Sequence, residues 1–327
     1  MFNAAIIGSG IGLKHLDAIE NYKSVKVKFI CEKNLKRALL LKKKFPHIKI
    51  IKNDNDIYKD ESVKLVSIAS YDNFHYTQIL KCINHKKHII VEKPFCLNLK
   101  ELKNIYYLLK KNKDIKFVSN LVLRTNNLFK NIKKISNKNE IFYIEGDYIW
   151  GRKEKLIGWR SSIQNYSATL GAGIHLIDLI IWILNDKPKS VISFGNKIVT
   201  KDSKFKKKSF VINIFKFPKD VVVKITSNLV ANYHHFHELK IFEKNKTIIH
   251  NLNGTFLINK KKQKKKLSGG YPDKLNRKKL IRNFIDHIND SSIKPILTLK
   301  DQIDLMSICF YADKSLSSKK ETVIKYL

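Results

Sequence analysis

A short apolar strand runs directly into a glycine-rich turn, and no other feature of the sequence constrains the fold as strongly. Ala4-Ala5-Ile6-Ile7 precedes Gly8-Ser9-Gly10-Ile11-Gly12, and apolar residues at helical spacing then predict a helix over residues 13–22. Glycines let a backbone approach a pyrophosphate closely, and a helix amino terminus offers free N–H groups and the positive end of its dipole. The G-x-G-x-G spacing is one residue shorter than G-x-G-x-x-G, but the strand and helix around it are those that the motif requires. We therefore expect a dinucleotide to bind along this turn.

Strands and helices alternate through the first 120 residues. Apolar runs predict strands over residues 25–30, 48–51, 63–69, 89–91 and 115–119. Helices are predicted over residues 35–44 and 76–84 and after Asn98, which has the spacing of a capping box with Glu101. This alternation implies a doubly wound parallel sheet with helices on both faces, the Rossmann arrangement.

Polar residues follow two of these strands, at the edge where open α/β sheets bind ligands. Glu32 lies 20 residues after Gly12, about the offset at which an acid hydrogen-bonds the adenosine ribose hydroxyls. A carboxylate there would repel a 2′-phosphate, so NAD is favoured, although Lys33 and Arg37 leave NADP open. The alternative for Glu32 is a plain strand-end acid. The turn after residue 69 supplies further expected cofactor contacts, namely Ser70, Tyr71, Asn73 and His75.

The strand Ile89-Ile90-Val91 ends abruptly in Glu92-Lys93-Pro94. Pro94 cannot continue a strand ladder, and it restricts Lys93 to an extended or turn conformation. We expect Glu92 and Lys93 to contact the cofactor and the Lys93 side chain to face a substrate lying on the nicotinamide. The alternative is a solvated lysine at a surface strand end.

After about residue 120 the alternation gives way to strand-like stretches separated by short turns. They span residues 141–150, 190–198, 209–217, 221–228, 237–242, 247–249 and 255–258. These stretches predict one large, mostly antiparallel, open-faced sheet, which a partner in a homodimer or homotetramer would cover. The length allows two domains: an NAD(P)-binding domain over residues 1–120, and a substrate-binding and oligomerisation domain over residues 121–327.

Two histidine-containing stretches in the second half are candidates for chemistry. His175 and Asp178 lie three residues apart in a predicted helix, so the acid could hold a general acid or base in place or could satisfy a core histidine. His235 and His237 share one face of a predicted strand, and His234 points the other way. The sequence places no further ligand near them, so contact with a substrate is favoured over a metal site.

The formal charge of +36 is carried mostly by lysine, since only six of the 64 basic residues are arginine. The lysines are spread over the whole chain, whereas a nucleic-acid binder is expected to favour arginine interleaved with aromatic residues. We therefore expect no nucleic-acid partner. The densest lysine run, residues 260–266, is predicted to be a hairpin tip or a loop.

We expect a cytoplasmic protein without a membrane segment. The longest apolar run of the second half, residues 174–184, is too short and too polar to span a bilayer. No basic stretch followed by a long apolar stretch indicates a signal peptide. The cysteines are scattered without a Cys-x-x-Cys pair, which predicts reduced thiols and no structural zinc; they are Cys31, Cys82, Cys96 and Cys309.

With these residues in hand, the chain resembles the Gfo/Idh/MocA oxidoreductases, the family of glucose–fructose oxidoreductase and inositol dehydrogenase. The resemblance covers nearly the whole chain. It rests on the glycine turn with His15, the turn at 70–75, Glu92-Lys93-Pro94, Trp159-Arg160, the stretch at 171–178 and the tail from Thr298. It implies a Rossmann domain, a second domain with an open sheet, and hydride transfer between a nicotinamide and a secondary alcohol or ketone of a sugar, cyclitol or nucleotide-sugar.

By this resemblance Lys93 would position or polarise the reacting oxygen, and His175 would donate or accept the proton. Candidate substrate contacts are Trp159, Arg160, His235 and His237. One departure matters, because many members carry an aspartate four residues before the catalytic histidine, where this chain has Gly171. Asp178 or Tyr166 would then assist His175.

Two functional hypotheses follow from these observations. The first is a dehydrogenase or reductase in which Lys93 and His175 carry the chemistry. The second, which Gly171 motivates, is a regulatory or scaffold protein of the same fold that binds NAD without catalysis. Turnover that survives substitution of both Lys93 and His175 would rule out the first.

Overall fold

The computed structural model describes residues 2–20, 22–23 and 25–327, which form two compact units. The first unit contains the residues up to Val122 together with Lys274–Ile303. The second contains Leu123–Asp273 and Asp304–Leu327.

The first unit is built on a six-stranded sheet. Its strands are β1 (Phe2–Ile7), β2 (Val25–Cys31), β3 (Lys49–Ile51), β4 (Val63–Ile68), β5 (His88–Val91) and β6 (Phe117–Ser119). All pair in parallel in the order β3-β2-β1-β4-β5-β6. β1 ends in the buried apolar run 4–7 and β5 in the run 89–91, as expected of a parallel sheet covered on both faces, whereas β2 and β4 have exposed lysines near their starts. The predicted doubly wound parallel sheet is confirmed.

Helices alternate with these strands. They are α1 (Gly12–Ile19), α2 (Leu35–Lys44), α3 (Asn55–Lys59), α4 (Asp72–Asn84) and α5 (Leu99–Lys111). The predicted cap of α5 is present, because the Asn98 side chain accepts a hydrogen bond from the Glu101 backbone N–H at 2.9 Å. The Glu101 carboxylate in turn accepts from the Leu97 N–H at 2.8 Å, one residue before the donor of an ordinary capping box.

The second unit is built on a nine-stranded sheet. Its strands are β7 (Ile141–Ile149), β8 (Ser190–Asn196), β9 (Phe210–Lys216), β10 (Val222–Asn228), β11 (Phe236–Glu243), β12 (Lys246–Asn251), β13 (Gly254–Asn259), β14 (Lys264–Lys266) and β15 (Thr322–Val323). The order is β14-β13-β12-β11-β7-β10-β9-β8-β15, and every pair is antiparallel except β7 with β10. The predicted, mostly antiparallel sheet is confirmed, and the two strands that were not predicted lie at its edges.

The second unit also contains the helices α6 (Asn127–Ile135), α7 (Lys153–Ile157) and α8 (Ile174–Leu184). α8 packs against β7, and Phe129 of α6 packs edge-on against His250 of β12. α8 is buried on nearly all sides and continues from a π-helical turn over Thr169–Gly173. Close approach of the helix to the sheet needs Gly173, because a Cβ there would lie 2.5 Å from the Ser227 hydroxyl on β10.

The opposite face of the second sheet is open. Neighbouring strands β8 and β9 bring an apolar group together there, and the register pairs Ile192 with Ile214 and Phe194 with Ile212. Phe194 is 55% exposed. In the middle of the sheet the open face is ionic, since the Lys224 ammonium contacts both Glu145 and Asp147.

The segment Lys274–Ile303 differs from the predicted division, which assigned every residue after 120 to the second domain. Helix α9 (Asn276–Asn289) packs against α1, and the Tyr22 hydroxyl donates to the Asp286 carboxylate at 3.0 Å. The chain therefore returns to the first unit before α10 (Leu299–Ser318) begins. Although α10 is the longest of the described helices, neither it nor any other has the length and apolar character needed to cross a membrane.

Candidate active site

The glycine turn closes β1 onto the start of α1. Gly8 has a φ of +92°, and a Cβ there would lie 2.5 Å from the Ala69 carbonyl oxygen, so only glycine fits. A Cβ at Gly10 would meet no atom within 4 Å, so the turn faces open space, and Ile11 is also exposed. The first turn of α1 contains no acidic residue to offset its positive dipole end. The turn therefore fits the pyrophosphate of a dinucleotide.

Glu32 lies at the end of β2 and is tied to this turn. Its carboxylate accepts hydrogen bonds from the Ser9 hydroxyl, from the Ser9 N–H at 3.3 Å and from the Asn34 N–H at 2.8 Å. Burial acts to raise the pKa of Glu32, but these hydrogen bonds outweigh burial and hold the pKa below its usual value. The side chain thus presents a fixed negative charge beside the glycine turn.

Replacing Glu32 by glutamine should weaken the preference for NAD over NADP. The amide keeps the size and hydrogen-bonding shape of the carboxylate but cannot repel a 2′-phosphate. The ratio of the two dissociation constants, measured by titration calorimetry, should move toward NADP by about 10-fold or more. Two like charges placed against each other cost several kcal/mol, whereas a tenfold change in a dissociation constant corresponds to about 1.4 kcal/mol. Glu61→Gln, at an exposed acid of the same unit, is the matched control, and an equal ratio in both variants would remove this role from Glu32.

The turn after β4 lies at the same edge of the sheet, since β2, β1, β4 and β5 are neighbours. Tyr71 is 49% exposed and Asn73 is also exposed, so both side chains are accessible to a ligand. The Ser70 hydroxyl instead donates to the Gln78 side chain at 2.6 Å. His75 is fully buried; its Nδ1 lies 2.8 Å from the Pro94 carbonyl oxygen, and its Nε2 lies 3.2 Å from that of Ser70. The ring therefore braces the two turns from the interior, and its expected cofactor contact stays a prediction.

Lys93 is the one residue in the stretch from Ile89 to Cys96 that is not buried. The two residues beside it are held in place: Glu92 is bonded in the interior, and the Pro94 carbonyl is fixed by His75. Beyond them, the Phe95 ring packs edge-on against Phe117, with 5.2 Å between the ring centroids. The fold therefore presents the Lys93 ammonium from a rigid strand end.

The side chain of Glu92 points into the first unit. Its Oε1 accepts from the His15 ring at 3.0 Å and from the Asn120 amide at 2.5 Å, and the Arg277 guanidinium lies 3.9 Å away. The other ring nitrogen of His15 lies 2.7 Å from the Ser67 hydroxyl. Sequence reasoning predicted a cofactor contact for Glu92. The structure shows the carboxylate enclosed by protein donors, and a cofactor contact through the Glu92 backbone stays a prediction.

Burial alone would raise the pKa of Glu92, but the hydrogen bond from His15 and the charge of Arg277 lower it to about 2. The acid is therefore ionised throughout the physiological range. Through these contacts Glu92 connects the end of β5 to α1 and α9, and it thereby holds the backbone next to Lys93 in place.

In the second unit, Tyr148 on β7 is one of five rings that form a cluster. His237 lies directly opposite Tyr148 on β11, and their ring centroids are 4.6 Å apart. The His175 ring stacks on Tyr148 at 6.0 Å and meets His237 edge-on at 5.8 Å. His235 is 5.7 Å from His237, on the shared face that strand alternation predicts. The Tyr271 hydroxyl bonds to Nδ1 of His237.

Sequence reasoning missed both tyrosines of this ring cluster. Tyr148 carried a usable signal, because alternation along β7 places it on the buried face and strand pairing sets it against His237. Tyr271 carried none, since it lies in an irregular segment after β14. Burial raises the pKa of both phenols well above the usual range, so each stays a neutral hydrogen-bonding group.

Asp178 has a partner that its spacing did not suggest. It is buried, and the Arg124 guanidinium donates to it through Nη2 at 2.7 Å and through Nε at 3.0 and 3.2 Å. Two nitrogens on one carboxylate form the strong bidentate geometry. Asp178 therefore anchors α8 to the segment around Arg124, and its expected support of His175 stays a prediction.

Arg160 lies between two indole rings, 4.1 Å from the centroid of Trp159 and 5.3 Å from that of Trp150. One of its nitrogens donates to the Lys155 carbonyl at 3.3 Å. Stacking of this kind restrains a guanidinium while leaving its edge available. The pair Trp159-Arg160 remains a candidate for binding substrate.

Tyr166 is buried, and its ring meets Phe205 edge-on at 6.0 Å. Its hydroxyl oxygen would lie only 2.1 Å from a Cβ added at Gly171. Tyr166 thus fills the space that any side chain at position 171 would need.

Among residues 2–20, 22–23 and 25–327, histidine, cysteine, aspartate and glutamate nowhere form a group of three or more arranged to hold a metal ion. The ring cluster around Tyr148 gathers several hydrogen-bond donors and acceptors.

Comparison with known proteins gives matches in both halves of the chain. A model of the Gfo/Idh/MocA oxidoreductase family, described as an NAD-binding Rossmann fold, matches residues 2–120, and a model of the family's C-terminal domain matches residues 139–255. The chain is 27% identical over 183 residues to scyllo-inositol 2-dehydrogenase (NADP(+)) of Bacillus subtilis, which covers 54% of this chain and 48% of that protein. An uncharacterized oxidoreductase of Streptococcus pneumoniae is 19% identical over 165 residues, or 48% and 44% of the two chains. The matches thus span about half the length of these curated relatives.

Solved structures match over the full length. Myo-inositol 2-dehydrogenase from Lactobacillus plantarum has a TM-score of 0.85 at 19% identity and covers 99% of both chains. Scyllo-inositol dehydrogenase from Lactobacillus casei, solved with NAD(H) and scyllo-inositol, has a TM-score of 0.81 at 16% identity and again covers 99% of both chains. At such identities the likeness is one of fold. Since family models match both the first and the second unit, the chain belongs to the Gfo/Idh/MocA oxidoreductase family, and its first unit is an NAD-binding Rossmann domain.

Proposed function

We propose that the protein is an NAD-dependent dehydrogenase or reductase that acts on a secondary alcohol or ketone of a ring bearing several hydroxyl groups. The observation that carries this proposal is the presentation of Lys93. It is the unburied residue of an otherwise buried strand end, at the same edge of the sheet as the glycine turn. A charge held in this way suits stabilisation of a developing oxyanion.

In the oxidising direction, His175 accepts the proton of the substrate hydroxyl, and the Lys93 ammonium stabilises the negative charge that develops on that oxygen. The glycine turn holds the pyrophosphate, and Glu32 accepts hydrogen bonds from the adenosine ribose. The bound nicotinamide supplies the hydride acceptor. Fixing the reactants in place contributes much of the rate, since well-oriented groups react as if at very high concentration.

The substrate class rests on the ring cluster and on the relatives. The ring cluster offers several hydrogen-bond donors and acceptors close together, which suits a ring with many hydroxyls; they belong to His235, His237, Tyr148 and Tyr271. The relatives named for their activity act on inositols, and a UDP-N-acetylglucosamine 3-dehydrogenase from Acidithiobacillus ferrooxidans shares the fold at a TM-score of 0.81. Cyclitols, sugars and nucleotide-sugars are therefore the substrates that we propose. Since the Bacillus subtilis relative is named for NADP(+), the fixed charge of Glu32 is our reason for proposing NAD in this chain.

We further propose that the protein is a cytoplasmic homodimer or homotetramer, assembled through the open face of the second sheet. The apolar group of β8 and β9 there, which includes the half-exposed Phe194, supports an interface with a second copy. None of the four cysteines forms a disulfide, and all four are buried, which supports a reducing compartment.

The direct test is to incubate the purified protein with NAD and a panel containing scyllo-inositol, myo-inositol, glucose and UDP-N-acetylglucosamine, and to follow NADH absorbance. We expect turnover with at least one ring alcohol and a clear preference within the panel. Aliphatic alcohols of similar polarity, such as glycerol, are the control.

Gly171 favours one second candidate, a protein that binds NAD for regulation without turning over a substrate. In that case NAD would bind with ordinary affinity, while neither the panel with NAD nor the matching ketones with NADH would give turnover. That result would replace the dehydrogenase by the regulatory function.

A further inference from the structure

Position 171 lies in the π-helical turn that leads into α8, one turn before His175. Gly171 supplies no side chain there. The space is nevertheless filled, because the Tyr166 hydroxyl lies where a side chain at 171 would begin, 2.1 Å from its ideal Cβ position. A buried phenol hydroxyl therefore lies beside the turn that carries His175.

The geometry of a helix directs the His175 ring toward this hydroxyl. Residues four apart on a helix have Cβ atoms about 5–6 Å from each other. Helical side chains also lean toward the amino terminus, so the imidazole of residue 175 extends over the turn that contains residue 171. The imidazole and the Tyr166 hydroxyl therefore approach the same part of this turn.

We propose that Tyr166 is the positioning residue for His175, and that its hydroxyl oxygen accepts the N–H of the imidazole; this inference rests on the proposed function. A base that takes a proton at one ring nitrogen must carry its own N–H on the other. An acceptor fixed at that N–H selects the competent tautomer and stabilises the imidazolium that forms, which is the role a carboxylate has in other acid–base pairs. Tyr166 supplies this hydrogen-bond acceptor in place of the side chain that Gly171 lacks.

The other groups around His175 determine how the experiment must be designed. Tyr148 and His237 contact its ring, and Asp178 is occupied by Arg124 one turn further along α8. Asp313 on α10 interacts with the turn at Ser167 and Thr169, and burial, although opposed by hydrogen bonds from these two residues, raises its pKa to about 6. A titration near pH 6 could therefore belong to Asp313, so the measurement is repeated in an Asp313→Asn background.

The test is to measure the pKa of His175 by NMR of the protein labelled at histidine Cε1, with the signal assigned by its loss in His175→Ala. Tyr166→Phe removes only the oxygen, and it should lower the pKa of His175 by about one unit, because imidazolium loses its acceptor. Tyr166→Ala combined with Gly171→Asp puts a carboxylate into the vacated space, and it should raise the pKa above that of the unaltered protein. The kcat of Tyr166→Phe with the best alcohol of the panel should fall roughly 100-fold, the lower end for a general acid–base group, and the double variant should recover most of it.

The matched control is Tyr326→Phe, which removes a hydroxyl bonded to the Pro188 carbonyl at 2.6 Å elsewhere in the second unit and should leave the His175 signal unchanged. An unchanged pKa of His175 in Tyr166→Phe, or a double variant that titrates below the unaltered protein, would overturn the inference. If Lys93→Met and His175→Ala are inactive while Tyr166→Phe keeps full activity and the unaltered pKa, only this inference fails. If all three variants keep full turnover, the proposed function fails.

Discussion

Replacing Lys93 by methionine should lower kcat by roughly 1,000-fold while leaving the affinity for NAD nearly unchanged. Methionine keeps a long, unbranched side chain but removes the charge that the fold presents at the end of β5. Losing one preorganised donor to an oxyanion costs about 10²–10³ in kcat. Because Glu92 and His75 hold the turn, the variant should fold normally. Steady-state kinetics over the substrate panel, with NAD binding measured separately, would test this.

His175→Ala should produce a comparable loss, within the range of about 10²–10⁴ expected for a general acid–base group. Lys59→Met and His47→Ala, at exposed positions in the first unit, are the matched controls and should keep full turnover. Full turnover in both active-site variants, with the protein folded, would show that neither residue carries the chemistry.

Replacing Arg124 by methionine should destabilise the second unit by about 3–5 kcal/mol. The substitution leaves the Asp178 carboxylate buried without its bidentate partner, and breaking a buried pair on one side costs this much. With a slope near ~2 kcal/mol per molar, the urea midpoint should fall by about 2 M. All three tryptophans (150, 159 and 182) lie in the second unit, so their fluorescence reports this transition directly.

A double variant separates two contributions to stability: the net energy of the ion pair itself, and the cost of a buried Asp178 carboxylate that has lost the Arg124 guanidinium. Arg124→Met together with Asp178→Leu replaces both ions by apolar groups, and it should recover most of the lost stability. Lys216→Met, which breaks the exposed pair with Glu321 in the same unit, should change the midpoint little. Equal midpoints for Arg124→Met and Lys216→Met would contradict the structural role of the buried pair.

Local patterns in the sequence were enough to predict most of the fold. The glycine turn, the cap at Asn98 and the seven predicted strands of the second sheet depend on residues close together in the chain, and all are present. The return of α9 to the first unit was not predictable, because its amphipathic pattern shows that it packs but not on which partner.

The same distinction between local patterns and contacts of distant residues applies to the candidate site. Strand ends and alternation identified the positions of Lys93, His235 and His237. The partner of Asp178 was missed because Arg124 lies 54 residues away, and local spacing pointed to His175 instead. In the same way, Tyr166 reaches the space at Gly171 through the path of an irregular segment, which no periodic pattern encodes.

Strand β14 contains the last three lysines of the densest lysine run of the chain, and its position in the sheet indicates a role for them. Its three residues are all exposed lysines at the outer edge of the nine-stranded sheet, paired with Phe256, Leu257 and Ile258 of β13. An unprotected edge strand of this kind invites another chain to add to it, and lysine is a common means of preventing this. A second copy approaching edge to edge would bring its own lysines against these, at a cost in repulsion and desolvation. The run therefore protects this edge against the addition of another strand, and this agrees with the interface that we propose on the open face.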